Sequence, residues 1–197
     1  MAGHFEPLPG GGAAVALDEV EISILRSLAV QLLELIGPGE SQGPDEADPL
    51  ARLFAEGPSE PPADPALARL FPDAYGDPGA EQDRRERAYA SEFRRYTEND
   101  LRARKREDAL GVVGSLDTLS PAGGGGAVLR LAPEECRRWL GALNDLRLAI
   151  GTRLEVREDD DTEELFRLPD EDPRKPMVMA YLWLGGLQET LIEAMTG

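Results

Sequence analysis

The sequence predicts a mainly α fold, a single-domain helical bundle around two apolar helices (about 18–36 and 176–195), with a small β-hairpin or short strands near 4–17 and 127–131. Three observations carry that prediction. Residues 18–36 join a capping residue to an apolar face at helical spacing, and residues 176–187 are apolar nearly all round. A chain of 197 residues is also long enough to bury about 70% of its unfolded surface, which supports one core without metals or staples.

The elements follow in order. Residues 4–17, "HFEPLPGGGAAVAL", place two short extended pieces around a Pro/Gly turn, as a hairpin or an irregular arm. Asp18 with Glu21 three positions on is a capping box, in which each side chain satisfies the other's orphan backbone N–H. Gly37-Pro38 closes that helix. Between them Ile22, Ile24, Leu25, Leu28, Ala29, Leu32, Leu33, Leu35 and Ile36 cover about half the circumference at 100° per residue.

Residues 37–83 form an acidic, Pro/Gly-rich linker of the composition that orders only where something docks it. It writes nearly the same phrase twice, "DPLARLF" from Asp48 and "DPALARLF" from Asp64. In each copy an Asp caps, a Pro takes the first helical position, and Leu50, Leu53, Phe54 or Leu67, Leu70, Phe71 fall at i, i+3, i+4. Two short copies are too few for a solenoid. They either pin the linker to the domain's own core or offer Leu53, Phe54, Leu70 and Phe71 to a partner's groove.

A long helix is expected from about Glu81 to Leu110, with Tyr89, Phe93, Tyr96, Ala103 and Leu110 on one narrow stripe, interrupted by Asp100 and Glu107. Its nine basic residues between 81 and 108 face eight acids. That near balance reads as a solvated helix laced by i,i+4 pairs rather than a nucleic-acid surface.

"SPAGGGGAVLRLAPEE" supplies a Gly loop, the extended run 127–131, and Pro133 opening a helix to Ile150. The loop is no phosphate cradle, because a strand rather than a Lys-Ser/Thr helix start follows it. The helix puts Cys136, Trp139, Leu140, Leu143, Arg147 and Ile150 on one face. An arginine there needs a carboxylate, and Asp100 or Glu107 are the candidate partners in a buried ion pair. Residues 155–172 carry ten acids and two basic residues. Asp159, Asp160, Asp161, Glu163 and Glu164 are therefore candidate contacts for a basic partner, and the run lacks the order of a calcium loop.

Charge and composition bound the function. A net charge of -17 and an isoelectric point near 4.4 oppose direct binding to nucleic acid or anionic membranes. The longest apolar run, Met177 to Leu187, is eleven residues, short of the ~20 that cross a bilayer. "MAGHFEPLPGG" has no signal-peptide pattern, which with a single cysteine points to the cytoplasm. The lone histidine, His4, supports neither a zinc site nor a triad, so no catalytic residue, metal or cofactor is predicted. Cys136 is the one candidate for redox chemistry: its helix start and Arg137 and Arg138 favour thiolate, while its apolar face favours an inert core thiol. The oligomeric state is left open.

Five strings, "ALDEVEISILRSLAVQLLELIG", "DPALARLFPDAY", "FRRYTENDLRARKREDAL", "WLGALNDLRLAIGTRLEV" and "DPRKPMVMAYLWLGGLQETL", carry a resemblance over most of the chain. The sequence resembles the actinobacterial domain-of-unknown-function family that includes the oxidative-stress regulator AosR. The resemblance implies a cytoplasmic, non-enzymatic regulator that senses oxidants through thiols and contacts a stress sigma factor to modulate transcription. Its implied gene neighbourhood suggests, as an alternative, an adaptor in ClpS-linked proteolysis or cysteine biosynthesis. This chain departs from an intramolecular disulfide switch, since Cys136 alone leaves only sulfenic acid, a mixed disulfide or an intermolecular bridge.

Overall fold

The first turn of the chain is a hairpin. In the computed structural model, which describes residues 3–38, 57–76, 83–119, 126–156 and 165–197, β1 (Phe5–Leu8) and β2 (Gly12–Leu17) pair antiparallel with Leu8 opposite Gly12. The connection works because Gly10 and Gly11 adopt φ of 96° and 87°, a region that side chains with a Cβ rarely enter. β3 (Ala127–Leu131) joins the other edge of β2, giving the order β1-β2-β3. Ala13, Val15 and Leu17 point inward beside Leu129 and Leu131, while Ala16, Val128 and Arg130 face out. The period of two thus survives into the packed sheet. Phe5 carries the sheet onto the helices by meeting Trp139 edge-on at 6.0 Å, and its N–H donates to Thr190 Oγ1 at 3.1 Å.

Five helices stand among the described residues. α1 (Glu19–Ile36) starts at the expected capping box: Asp18 accepts from Glu21 N–H at 2.8 Å and Glu21 accepts from Asp18 N–H at 2.9 Å. It buries Leu25, Ala29, Leu32 and Ile36, a narrower stripe than its apolar content, and ends at Gly37 with φ 81°. α2 (Pro65–Leu70) is the second copy of the repeated phrase; Asp64 caps Ala66 and Leu67 at 2.8 and 3.0 Å and Pro65 takes the first turn. The first copy, with Leu53 and Phe54, lies outside the described residues.

α3 (Arg84–Asp117) opens at a second capping box, Asp83 with Glu86, and runs seven residues past the expected Leu110. Gly111 and Gly114 argue for a stop, at about 1 kcal/mol each. Packing overrides them: Val112 and Leu116 are buried, and Trp139 Nε1 donates to Ser115 Oγ at 3.0 Å. α4 (Pro133–Arg153) is entered by Pro133, with Glu135 accepting from Ala132 N–H at 2.7 Å. It is the most enclosed helix, touching α2, α3, α5 and, more lightly, α1 and the sheet. α5 (Lys175–Thr196) flanks it, with Val178, Leu184, Leu187, Leu191 and Ala194 inward and Met179 and Ile192 exposed. α4 takes the middle of the fold, and the apolar α5 packs on its flank and against the sheet. The mainly helical fold with short strands within 4–17 and at 127–131 stands as predicted, the strands joining in one small three-stranded antiparallel sheet, and the buried apolar residues form one continuous cluster. Among the described residues no helix is long and apolar enough to cross a membrane.

Candidate interaction site

Four of the nine basic residues of α3, Arg94, Arg102, Lys105 and Arg106, are structural. Arg94, buried, donates through Nη2 to the Phe71 carbonyl at 3.0 Å and to Asp73 Oδ1 at 2.7 Å, and through Nη1 to Glu98. Glu98, also buried, accepts from Arg102 Nη2 at 2.6 Å. Arg102 then reaches the Ile36 carbonyl and lies 4.3 Å over the Phe71 ring, while Arg106 reaches the carbonyls of Gly37 and Leu33. Two cations on α3 therefore complete the C-terminus of α1, where last-turn carbonyls lack partners and the helix dipole favours positive charge. Lys105 pairs with buried Asp145 of α4 at 2.6 Å. The i,i+4 pairs read from the sequence exist, but Arg94–Glu98–Arg102 is sealed rather than solvated.

This seam decides the repeated phrase. Leu70 and Phe71 are 2% and 1% exposed, so the second copy pins its segment to the domain core, and these two residues are removed from the partner contacts. Gly57 N–H adds a tie at the other end of the segment, donating to the Arg95 carbonyl at 2.7 Å.

The trio Asp100, Glu107 and Arg147 is not assembled. Asp100 and Glu107 are exposed, and Glu107 pairs at the surface with Arg138 at 2.9 Å. Arg147 sits at the edge of its helix face, donating to Gln188 Oε1 at 2.7 Å over the Tyr181 ring. The expectation failed because it took Tyr89, Phe93, Tyr96, Ala103 and Leu110 as the inward stripe of α3. All five are exposed, and the true inward line is Ala90, Arg94, Glu98, Ala109, Val112 and Leu116. Glu98, which sequence reasoning missed, is the buried carboxylate of α3; its signal was two arginines at i±4.

Cys136 is fully buried, its Sγ 3.8 Å from the Leu131 carbonyl, and burial pushes its thiol above the ordinary value. The adjacent charges do not offset this. Arg137 is engaged by Glu134 and Arg138 by Glu107.

The candidate interaction surface consists of what the core leaves outside. On α3, Tyr89, Phe93 and Tyr96 are 45–65% exposed, and Tyr75 meets the first two with ring centroids 5.9 and 6.0 Å away. Arg85 and Arg95 lie over Tyr89 and Tyr96. A contiguous aromatic ridge rimmed by guanidinium groups is the composition of protein contact sites. The acids Asp159, Asp160, Asp161, Glu163 and Glu164 lie outside the described residues, between Val156 and Leu165. Among the described residues no group of three His, Cys, Asp or Glu side chains could hold a metal.

Comparison with known proteins adds kinship. A family model described as "Domain of unknown function (DUF2017)" matches residues 2–195. A Mycobacterium tuberculosis protein named "Oxidative stress regulator AosR" is 31% identical over 180 residues, 90% of this chain and 79% of that protein. A Mycobacterium bovis protein of the same name matches with the same identity and coverage. No solved structure matches the chain.

Proposed function

We propose, from the premise that this chain belongs to the family of unknown function DUF2017, that it is a non-enzymatic regulator of the oxidative-stress response that works by protein contact. The observation that carries this reading is kinship over 90% of the chain with proteins named as oxidative stress regulators. The exposed aromatic ridge of α3 and the acids at 159–161, 163 and 164 support contact as the mode of action. The two surfaces divide the work: the acids draw a basic protein surface toward the chain, and the ridge supplies rigid apolar anchors once it arrives. A sigma factor, with its basic DNA-binding face, is the partner class we infer, and modulation of transcription would follow from occupying that face.

Cys136 is read as a core residue in this scheme. A buried thiol of raised pKa exposes little thiolate, so oxidants reach it only through opening of the fold. A disulfide reagent should modify it in the native protein at least about a hundredfold more slowly than in denaturant. Fast native modification would restore it as a redox sensor.

The functional test is titration of purified stress sigma factors with wild type, a variant carrying Asp159→Lys, Asp160→Lys and Asp161→Lys, and Phe93→Ser. The expected result is salt-sensitive binding, weakened about tenfold or more by each variant. Binding indifferent to both would reject the assigned surfaces, and no binding to any sigma factor would reject the partner class.

A further inference from the structure

Arg147 is a charge the fold leaves without a carboxylate. Its Nη1 is held by Gln188, its guanidinium lies 5.1 Å over the Tyr181 ring, and its buried Nε has no hydrogen-bond partner. Among the described residues no ion pair reaches it. It lines an open groove of about 600 Å³ along the outward face of α5, beside Gly185, Gly186, Glu189 and Glu193. Neither glutamate has an ion-pair partner among the described residues. One face thus carries an unpaired cation and unpaired anions that do not meet each other.

The glycines add a second, independent observation. Gly186 is helical and exposed, and a Cβ there would touch nothing within 4 Å. The isolated chain has no steric need for it, yet glycine weakens a helix interior. A second backbone lying close would supply the need. Such a partner must also offer an acid to Arg147 and a cation to the glutamates, and this face itself does both.

We propose that the outward α4–α5 face is an isologous homodimer interface, in which Arg147 of each copy pairs with Glu189 of the other across a Gly185–Gly186 crossing. A two-fold axis centred between the glycines sets Glu189 of one antiparallel α5 opposite Leu182 of the other, next to the Tyr181 ring under Arg147. Self-complementary charge is what two-fold symmetry requires of a single patch. The net charge of -17 opposes association at long range, but salt near 0.15 M screens beyond about 8 Å and leaves the direct pairs.

The test is sedimentation equilibrium of the full chain at physiological salt, from low micromolar to several hundred micromolar. Wild type should show a monomer–dimer equilibrium. Arg147→Glu and Glu189→Arg should each weaken it about tenfold or more, and the two together should restore it to within about threefold, since both pairs are then reversed. Gly186→Leu should abolish the dimer while the monomer keeps its circular dichroism and loses none of its thermal stability. The proposal is independent of the regulatory reading, because no partner protein enters the experiment. A strictly monomeric wild type, a dimer indifferent to all four variants, or a double reversal that fails to restore association would each overturn it.

Discussion

The two halves of α3 are buried by opposite means. From Arg84 to Arg106 the helix turns Ala90, Arg94 and Glu98 inward and leaves Tyr89, Phe93 and Tyr96 in solvent. From Glu107 to Asp117 it buries Ala109, Val112 and Leu116 in the ordinary way. The difference lies in what each half meets. The first half faces the backbone carbonyls of Phe71 and Ile36 and the carboxylate of Asp73, which are polar groups that must be satisfied once sealed from water. The second faces Trp139 and the apolar cluster. A helix face is inward because of its neighbours, and where the neighbours are helix ends and loops the inward residues are charged.

The comparison can be broken most sharply at Glu98. Glu98→Ala removes the shared acceptor of Arg94 and Arg102 and should destabilise the fold by about 3–5 kcal/mol, read from a urea midpoint. Replacing the pair by apolar side chains, Arg94→Met with Glu98→Leu, should recover part of that loss, because the two most deeply buried charges are then both removed. Equal loss in both variants would mean that the Arg94 contacts to Phe71 and Asp73, not the ion pair, hold this half.

In the second half Leu116→Ala should cost about 2–5 kcal/mol through lost burial and a residual cavity. A small loss there would show that the helix extension past Gly111 adds little to the fold.

At the joint between the halves stands Lys105 with Asp145. Burial pushes the Asp145 carboxyl above its ordinary value, although Lys105 pulls it down. A carboxyl that holds its proton more tightly when folded lends stability that is complete below the unfolded value of about 3.9 and is lost as pH rises through the folded one. Wild type should therefore lose stability relative to Asp145→Asn as pH climbs above about 3.9, by at most about 1.4 kcal/mol per pH unit. The opposite slope would mean that Lys105 outweighs burial.

The smallest effect is expected on the outer face. Tyr96→Ser should change stability by no more than about 0.5 kcal/mol, since 65% of this side chain already meets solvent. A loss of several kcal/mol would place the aromatic ridge in the core after all.

Much of the fold was legible because its signals are short. The capping box at Asp18–Glu21, the cap and prolines at Asp64–Pro65 and Pro133, and the Pro/Gly turn of the hairpin all act between residues no more than four apart. The candidate site was read less well. Leu70 and Phe71 have the spacing of a binding helix, and that spacing serves a domain's own core equally. Arg147 was rightly seen as anomalous on its helix face, but its neighbours, Gln188 and Tyr181, lie on α5 and no local pattern points to them.

The sequence by itself determined where helices and strands begin, how the hairpin turns, and which stretches are amphipathic, because backbone sterics and capping depend on near neighbours. Tertiary structure alone decided which face of α3 is inside and which helix is central. Arg94 finds its acceptors 21 and 23 residues back along the chain, and Arg102 and Arg106 complete α1 across 66 and 69 residues. A charged residue reads as solvated until the chain folds a buried acceptor against it, and that acceptor, a backbone carbonyl, has no letter in the sequence.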